Sequence, residues 1–526
     1  MEFIFMKLRL LFISLITTLF NFAFAYTEPS IKWKFDTYDA CYGQPAAADI
    51  DNDGKFEIVF GCYRNDSCVY ALNGENGSLL WKFNAATKFG EGCNDTAPLI
   101  YDVDNDGNLD VIVASSCNPT TFCFDGLTGE VKWECRTRGS DSPPTIGDID
   151  GDGKPEILHG EFNGYVICIN PVDGTQKWEI LVDSNSWVQT APTIVDLDGD
   201  GHNDFVVATW AFDTNDKMYA YLGSDHSLLW TYNLQGNVYH GTSVSDIDND
   251  GKPELLFGDY GGFFYALNAE DGSLLWKYES GVYCGSPASI ADINGDGNCD
   301  IVCTSAYKVI LLSGDGSVIW QYTIPDYEQA FRGVALADMN SDNFRDVVFS
   351  TTGGLVMALN GLSGSELWRI DLQSDYGKEF PVETAPIIAD FDKDGKADVF
   401  VVGGHGEYPD FYKNYGRAYC ISTESTTTDE WTMFQNNIER NGSICKLNTN
   451  VEDEIKNEST IYQYDEISGQ LIINSTEKDI LVYDIFGRFS KYSSYGNELR
   501  INFEIYPSGI YFIKSGNHIY KFAHIK

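Results

Sequence analysis

A nine-residue acidic signature recurs eight times in this 526-residue chain, and that repetition limits the possible folds more than any other feature. It reads DIDNDGKFE from Asp49, DVDNDGNLD from Asp102, DIDGDGKPE from Asp148 and DLDGDGHND from Asp196. It continues as DIDNDGKPE from Asp246, DINGDGNCD from Asp292, DMNSDNFRD from Asp338 and DFDKDGKAD from Asp390. Successive copies start 46 to 53 residues apart, the length of one four-stranded propeller blade, and no helix-period segment intervenes.

After each signature comes an apolar run such as Ile58-Val59-Phe60, rich in β-branched residues and too short for a helix, which predicts a buried strand. A second strand such as Val69-Tyr70-Ala71-Leu72 follows, and a Gly-containing turn leads into Leu79-Leu80-Trp81. Six of the seven such turns put Gly four residues before the Trp, with His226 the exception. Trp33, Trp81, Trp133, Trp178, Trp230, Trp276, Trp320 and Trp368 form a series whose expected role is an apolar plug between neighbouring blades. Trp33 precedes the first signature, whereas the eighth is followed by a strand near Ala418-Tyr419-Cys420-Ile421 with no Trp strand after it. Both anomalies vanish if Trp33-Lys34-Phe35 supplies the outer strand of the last blade, which also removes exposed strand edges. The expected fold is all-β: an eight-bladed β-propeller over 26–445, followed by a small C-terminal β-sandwich.

Alternating carboxylates explain the spacing within each signature. Positions 1, 3 and 5 converge while the apolar position 2 points inward; position 6 turns the chain, and the acid at position 9 closes the shell. The candidate ligands are Asp49, Asp51, Asp53 and Glu57; Asp102, Asp104, Asp106 and Asp110; Asp148, Asp150, Asp152 and Glu156; and Asp196, Asp198, Asp200 and Asp204. The remaining copies add Asp246, Asp248, Asp250 and Glu254; Asp292, Asn294, Asp296 and Asp300; Asp338, Asn340, Asp342 and Asp346; and Asp390, Asp392, Asp394 and Asp398. Hard oxygen donors without His or Cys favour calcium, up to eight structural ions, and no organic cofactor is expected. The loop from Asp338 is the weakest, because Asn340 replaces a carboxylate and Asn343 replaces the turn Gly. A formal charge of -43 disfavours nucleic acid and anionic surfaces as partners.

On these residues the acidic loops resemble FG-GAP/VCBS repeats, as in the integrin α propeller. The pattern Ala71-Leu72-Asn73-Gly74…Leu80-Trp81-Lys82 resembles the propeller repeat of quinoprotein dehydrogenases. The two resemblances cover residues 30 to 445 and imply the propeller. They do not imply one function, since propellers host enzymes, receptors and scaffolds.

Lys7 and Arg9 precede an apolar run from Leu10 to Phe24 that ends in Ala23-Phe24-Ala25, so residues 1–25 read as an export signal, leaving no transmembrane span after cleavage. Thirteen cysteines suit an oxidising destination, and Cys62 with Cys68 and Cys117 with Cys123 are the expected disulfides. The acidic loops and Gly turns share one face of the ring; the other connections vary in length and form the expected ligand face. That face carries Tyr42, Trp187, Tyr239, His240, Tyr283 and Arg332 before inner strands, and His159, Trp210, Tyr260 and His405 after second strands. Trp187, Trp210, Tyr239, His240, Tyr283, Arg332 and His405 are the candidate ligand-binding residues, for a glycan or protein bound without catalysis.

No nucleophile triad, metalloprotease motif, phosphate loop or carboxylate pair outside the acidic loops points to a reaction. A quinoprotein dehydrogenase is disfavoured because the vicinal Cys pair of many such enzymes is absent. The alternative is a calcium-dependent polysaccharide lyase, since rhamnogalacturonan lyases of one family resemble this plan, with Arg332 or His240 set against an acidic sugar.

Residues 446–458 read as a polar linker, and 459–526 as a separate β domain. The pattern VYDxxGR…PSGxYFIK in that tail resembles the C-terminal sorting domain of type IX secretion substrates in Bacteroidota. This resemblance implies passage across the outer membrane through that machinery, to the medium or the cell surface.

Overall fold

The computed structural model describes residues 28–445, except 88, 89, 91, 214, 408, 428, 429, 439 and 441, together with the strands between 462 and 524. The expected export signal and the linker 446–458 lie outside the described residues. The chain forms two compact units, dividing between Asn448 and Thr449.

In the first unit, eight four-stranded antiparallel sheets follow one another. Blade 1 is built from Ala46–Ala48, Glu57–Gly61, Cys68–Asn73 and Leu79–Asn84. Blades 2 to 7 repeat this order over 99–136, 145–181, 193–233, 243–279, 289–323 and 335–371. Blade 8 joins Ile387–Ala389, Asp398–His405 and Tyr415–Ser422 to the N-terminal strand Ser30–Thr37. Trp33 pairs with Cys420 and Phe35 with Ala418, the closure expected from the strand count.

Burial explains the sequence patterns. The second strand of blade 1, Glu57–Gly61, is buried throughout, so it reads as an unbroken apolar run after its acid. The outer strand Leu79–Asn84 alternates in exposure, and Trp81 is its buried residue. Opposite each Trp from 81 to 368 the ladder shifts register, as between Ala71 and Leu72, so the same local bend recurs around the ring.

From Trp33 to Trp320, each indole covers the hairpin of the next blade. Trp81 Nε1 donates to the Gly126 carbonyl at 2.6 Å, and Trp33, Trp133, Trp230, Trp276 and Trp320 make the equivalent bond. The turn Gly is required there because a Cβ on Gly129, at φ 69°, lies 2.6 Å from the Trp81 ring. His226 takes that place in blade 4 at φ 62°, with its ring 4.2 Å from Trp178. Blade 8 has no hairpin between its last two strands, because the outer one arrives from the N-terminus. Trp368 faces that blade, and its buried Nε1 has no acceptor. Gly129→Val is expected to lower stability by about 1–3 kcal/mol through overpacking, measurable by urea denaturation; an unchanged midpoint would contradict the plug role of Trp81.

The segment 431–445, which the sequence marks only as the end of the propeller, lies among the innermost strands. Trp431 pairs with Ile388 of blade 8, Thr432 O accepts from Ala47 N, Ile438 O from Ile146 N, and Gly442 O from Ile290 N. Arg440, fully buried, donates to the carbonyls of Phe434 at 2.7 Å and Pro98 at 3.0 Å, with longer contacts to Ala97 and Pro144. These bonds fill the central channel with the chain's own backbone.

The disulfides differ from expectation. Cys117 bonds Cys93, on the connection from blade 1, and Cys299 bonds Cys445, tying the channel segment to the acidic loop of blade 6. Cys62, Cys68 and Cys123 are free and buried. The Cys68 thiol donates to the Asp66 carbonyl at 3.3 Å, and Cys123 pairs with Trp133 inside its sheet. Spacing along one hairpin could not reveal partners on neighbouring connections.

In the second unit, Tyr462–Asp465, Gln470–Asn474 and Glu498–Asn502 form one antiparallel sheet. Phe489–Ser493, Asp479–Asp484, Gly509–Ser515 and His518–His524 form another. Among the described residues, the longest α-helix is Leu372–Tyr376, and none is long and apolar enough to cross a membrane.

Candidate functional site

Each acidic loop links the first and second strands of its blade, and its carboxylates organise its own backbone. The acid at position 1 accepts from the N–H at position 6 in all eight copies, as Asp49 does from Gly54 at 3.1 Å and Asp338 from Asn343 at 2.8 Å. Position 6 has positive φ throughout, which Asn343 adopts at 70°. The acid at position 9 is buried at the root of the second strand in every blade, and in seven of them it accepts from the N–H at position 2. Burial, reinforced by neighbouring acids, pushes the metal-free pKa of Glu57 up to about 7, Glu254 to about 8, Asp346 to about 7, and Asp300 to about 6.

These residues fit a divalent cation. Carboxylate oxygens of Asp49, Asp51 and Asp53 lie within 4.8 Å of one another, as do those of Asp102, Asp104 and Asp110, of Asp196, Asp198 and Asp204, and of Asp246, Asp248 and Asp250. Asp246 Oδ1 and Asp398 Oδ1 belong to buried residues and lack any hydrogen-bond partner, as do Asp49 Oδ1 and Asp148 Oδ1. A buried bare carboxylate oxygen is costly unless a cation meets it.

On the opposite face, five of the candidate ligand residues come together at the mouth of the channel. Trp210 lies 5.7 Å from Tyr239 and 5.1 Å from Tyr260, which stacks on Tyr283 at 5.3 Å. Tyr239 contacts His240 at 4.2 Å, and Phe331 contacts both Tyr239 and Tyr283. The Arg332 guanidinium sits 5.4 Å from the centre of the Tyr239 ring. Trp187 pairs with Trp210 in a short two-stranded sheet and packs on Phe162 at 4.6 Å and the exposed Phe212 at 5.2 Å. His405 lies elsewhere, stacked on Tyr415 in blade 8. Tyr42 packs on Tyr63 at 5.3 Å. His159 is fully buried between Thr121 Oγ1 and the Gly160 carbonyl, each at 2.9 Å, so it is a core residue rather than an exposed one.

Polar atoms at this mouth lack partners. Arg332 is 8% exposed and His240 is 4% exposed, yet Arg332 Nε and His240 Nε2 bond nothing, and neither do Asp95 Oδ1, Asp141 Oδ1 or Gln44 Nε2. Gln44, Arg332, Trp431, Phe434 and Gln435 line one cavity, so the channel segment forms its floor. Burial opposes the Arg332 charge, but Tyr239, Glu383, Asp95 and Asp141 together raise its pKa. Burial and Asp141 push the Asp95 pKa well up against the pull of Arg332. Burial raises Asp141 and Glu383 as well, and burial with Arg332 holds His240 neutral, well below its usual pKa. This carboxylate pair went unseen in the sequence because Asp95 and Asp141 lie on connections of different blades with no shared motif.

The family described as outer membrane protein assembly factor BamB, built on PQQ-like repeats, matches residues 162–350 and 252–473, together more than half of the chain. An FG-GAP-like repeat matches residues 49–113. Two proteins of Bacillus subtilis (strain 168) are similar in sequence: rhamnogalacturonan endolyase YesW, 23% identical over 255 residues, and rhamnogalacturonan exolyase YesX, 24% identical over 250 residues. These alignments cover 43% and 42% of this chain and 38% of each lyase. Among solved structures, the V. cholerae biofilm matrix protein Bap1 matches with a TM-score of 0.56 at 15% identity, over 80% of this chain and 96% of that one. The quinohemoprotein alcohol dehydrogenase of Comamonas testosteroni matches with a TM-score of 0.50 at 12% identity, over 75% and 76%. These structural likenesses concern the propeller fold alone. By its repeats and by the extent of the match, the chain belongs to the PQQ-like propeller family described as outer membrane protein assembly factor BamB.

Proposed function

We propose that this protein is exported, holds its blades with structural calcium, and binds a carbohydrate without catalysis at the mouth opposite the acidic loops. The observation that carries the ligand reading is the group Trp210, Tyr239, Tyr260 and Tyr283 beside the buried Arg332 and His240, whose Nε and Nε2 have no hydrogen-bond partner. Aromatic faces stack on pyranose rings, while the bare polar atoms take the place of water on sugar hydroxyls. Asp95, Asp141 and Glu383 already face the one Arg332 and offset its charge, which favours neutral sugars over polyuronates. Two disulfides support export, and the resemblance of the tail to a sorting domain supports delivery by type IX secretion.

Glycan-array binding in calcium, followed by titration calorimetry on a hit, tests the site. Arg332→Leu and Trp210→Ala are each expected to weaken binding at least about tenfold with the melting temperature kept within a few degrees. Wild-type affinity in both variants would place the ligand elsewhere.

The sequence similarity to YesW and YesX favours a second reading, a lyase acting on an acidic pectic sugar. There Arg332 would pair with the uronate carboxylate, neutral His240 would take the C5 proton, the C4=C5 double bond would form as the C4–O bond breaks, and the leaving oxygen would take a proton from water. Incubation with rhamnogalacturonan, followed by the ultraviolet absorbance of the unsaturated product, separates the readings; the binding reading expects no absorbance rise.

A further inference from the structure

The acidic loops are not equivalent. In blades 8, 2 and 3 the residue before the outer-strand Trp is Lys32, Lys132 or Lys177; in the other five it is Leu80, Leu229, Leu275, Ile319 or Leu367. Each of these lysines reaches across its own blade and joins the acids at positions 3 and 9. Lys32 Nζ lies 2.6 Å from Asp392 and 2.8 Å from Asp398. Lys132 lies 2.8 Å from Asp104 and 2.9 Å from Asp110, and Lys177 lies 2.8 Å from Asp150 and 2.6 Å from Glu156. Glu156 then has both oxygens engaged, one by Lys177 and the other by Ile149 N.

Resting on the calcium reading, we propose that Lys32, Lys132 and Lys177 are built-in cations: their three loops keep their shape without metal and bind calcium more weakly than lysine-free loops. An ammonium on two ligand carboxylates supplies the positive charge that otherwise comes from the ion, and repels an ion entering beside it. Among the described residues, the loops from Asp49, Asp196, Asp246 and Asp292 have no such group on positions 3 and 9; bare oxygens occur in both kinds of loop, at Asp49 and Asp246 and at Asp148 and Asp398, so it is the ammonium across positions 3 and 9 that sets the three loops apart. In the Asn-substituted loop from Asp338, the Asn360 amide reaches Asp342 and Asp346 instead. Lys32 lies on the strand that closes the ring, so closure through Asp392 and Asp398 does not depend on metal.

Hydrogen exchange of the full chain in calcium and in EGTA tests this without a variant. Chelation is expected to deprotect Glu57–Gly61, Asp204–Ala208, Glu254–Gly258 and Asp300–Ser305 at least about tenfold more than Asp110–Ser115, Glu156–Gly160 and Asp398–His405. Calorimetry should find four tight sites in the wild type and seven in a Lys32→Met, Lys132→Met, Lys177→Met variant. Equal deprotection in all eight blades, or eight tight sites in the wild type, would overturn the inference alone. No response in any blade would remove the calcium reading with it.

Discussion

EGTA is expected to lower the melting temperature of this protein by ten degrees or more, with calcium restoring it. At a free concentration of 100 times the dissociation constant, each occupied site adds ~2.7 kcal/mol to stability. Several such sites act on one ring, because each loop roots the second strand of its blade and the blades share their Trp plugs. Without metal, Asp49, Asp51 and Asp53 crowd their like charges into one turn.

The pH dependence has a definite sign. In the metal-free protein the pKa values of Glu57, Glu254 and Asp346 are raised, to about 7, 8 and 7, above the ordinary value of each. The folded state therefore holds protons that the unfolded state releases, and metal-free stability falls as pH rises from about 5 to 8. Calcium needs the ionised acids, so its stabilisation grows over the same interval. Thermal melts at pH 5 and pH 8, with calcium and with EGTA, check both slopes. A metal-free protein more stable at pH 8 than at pH 5 would contradict this account.

The second large effect concerns the channel segment. Replacing Arg440 by Leu is expected to cost at least about 3 kcal/mol, because the Phe434 and Pro98 carbonyls lose a charged donor where water cannot replace it. Arg440→Lys should recover only part of that, since a point donor cannot reach carbonyls spread around the planar fork. Urea denaturation measures both. The same variants should weaken ligand binding, because Trp431, Phe434 and Gln435 form the floor of the cavity beside Arg332. Wild-type stability in Arg440→Leu would mean that the segment rests in the channel without bracing it.

The repeating parts of this molecule were legible because eight copies average out local accidents. Eight signatures, eight Trp and the displaced Trp33 specify the blade number and the shared closing blade. The Gly four residues before six of the Trp is legible as a turn requirement, whereas the indole of the preceding blade is a second reason for it. What escaped was what occurs once. The segment 431–445 has no periodic counterpart, so neither its path nor the Cys299–Cys445 bond could be read from spacing. The mouth lay between the two cases: position in the repeat placed Trp210, Tyr239, Tyr283 and Arg332 on one face. Their meeting with Asp95 and Asp141 depends on how the connections of different blades fold over the channel.

The most direct test of the central claim is an anomalous-difference map from crystals grown in calcium. The account predicts peaks coordinated by oxygens of the first, third and fifth residues in the loops from Asp49, Asp196, Asp246 and Asp292. Water at those four positions would contradict it.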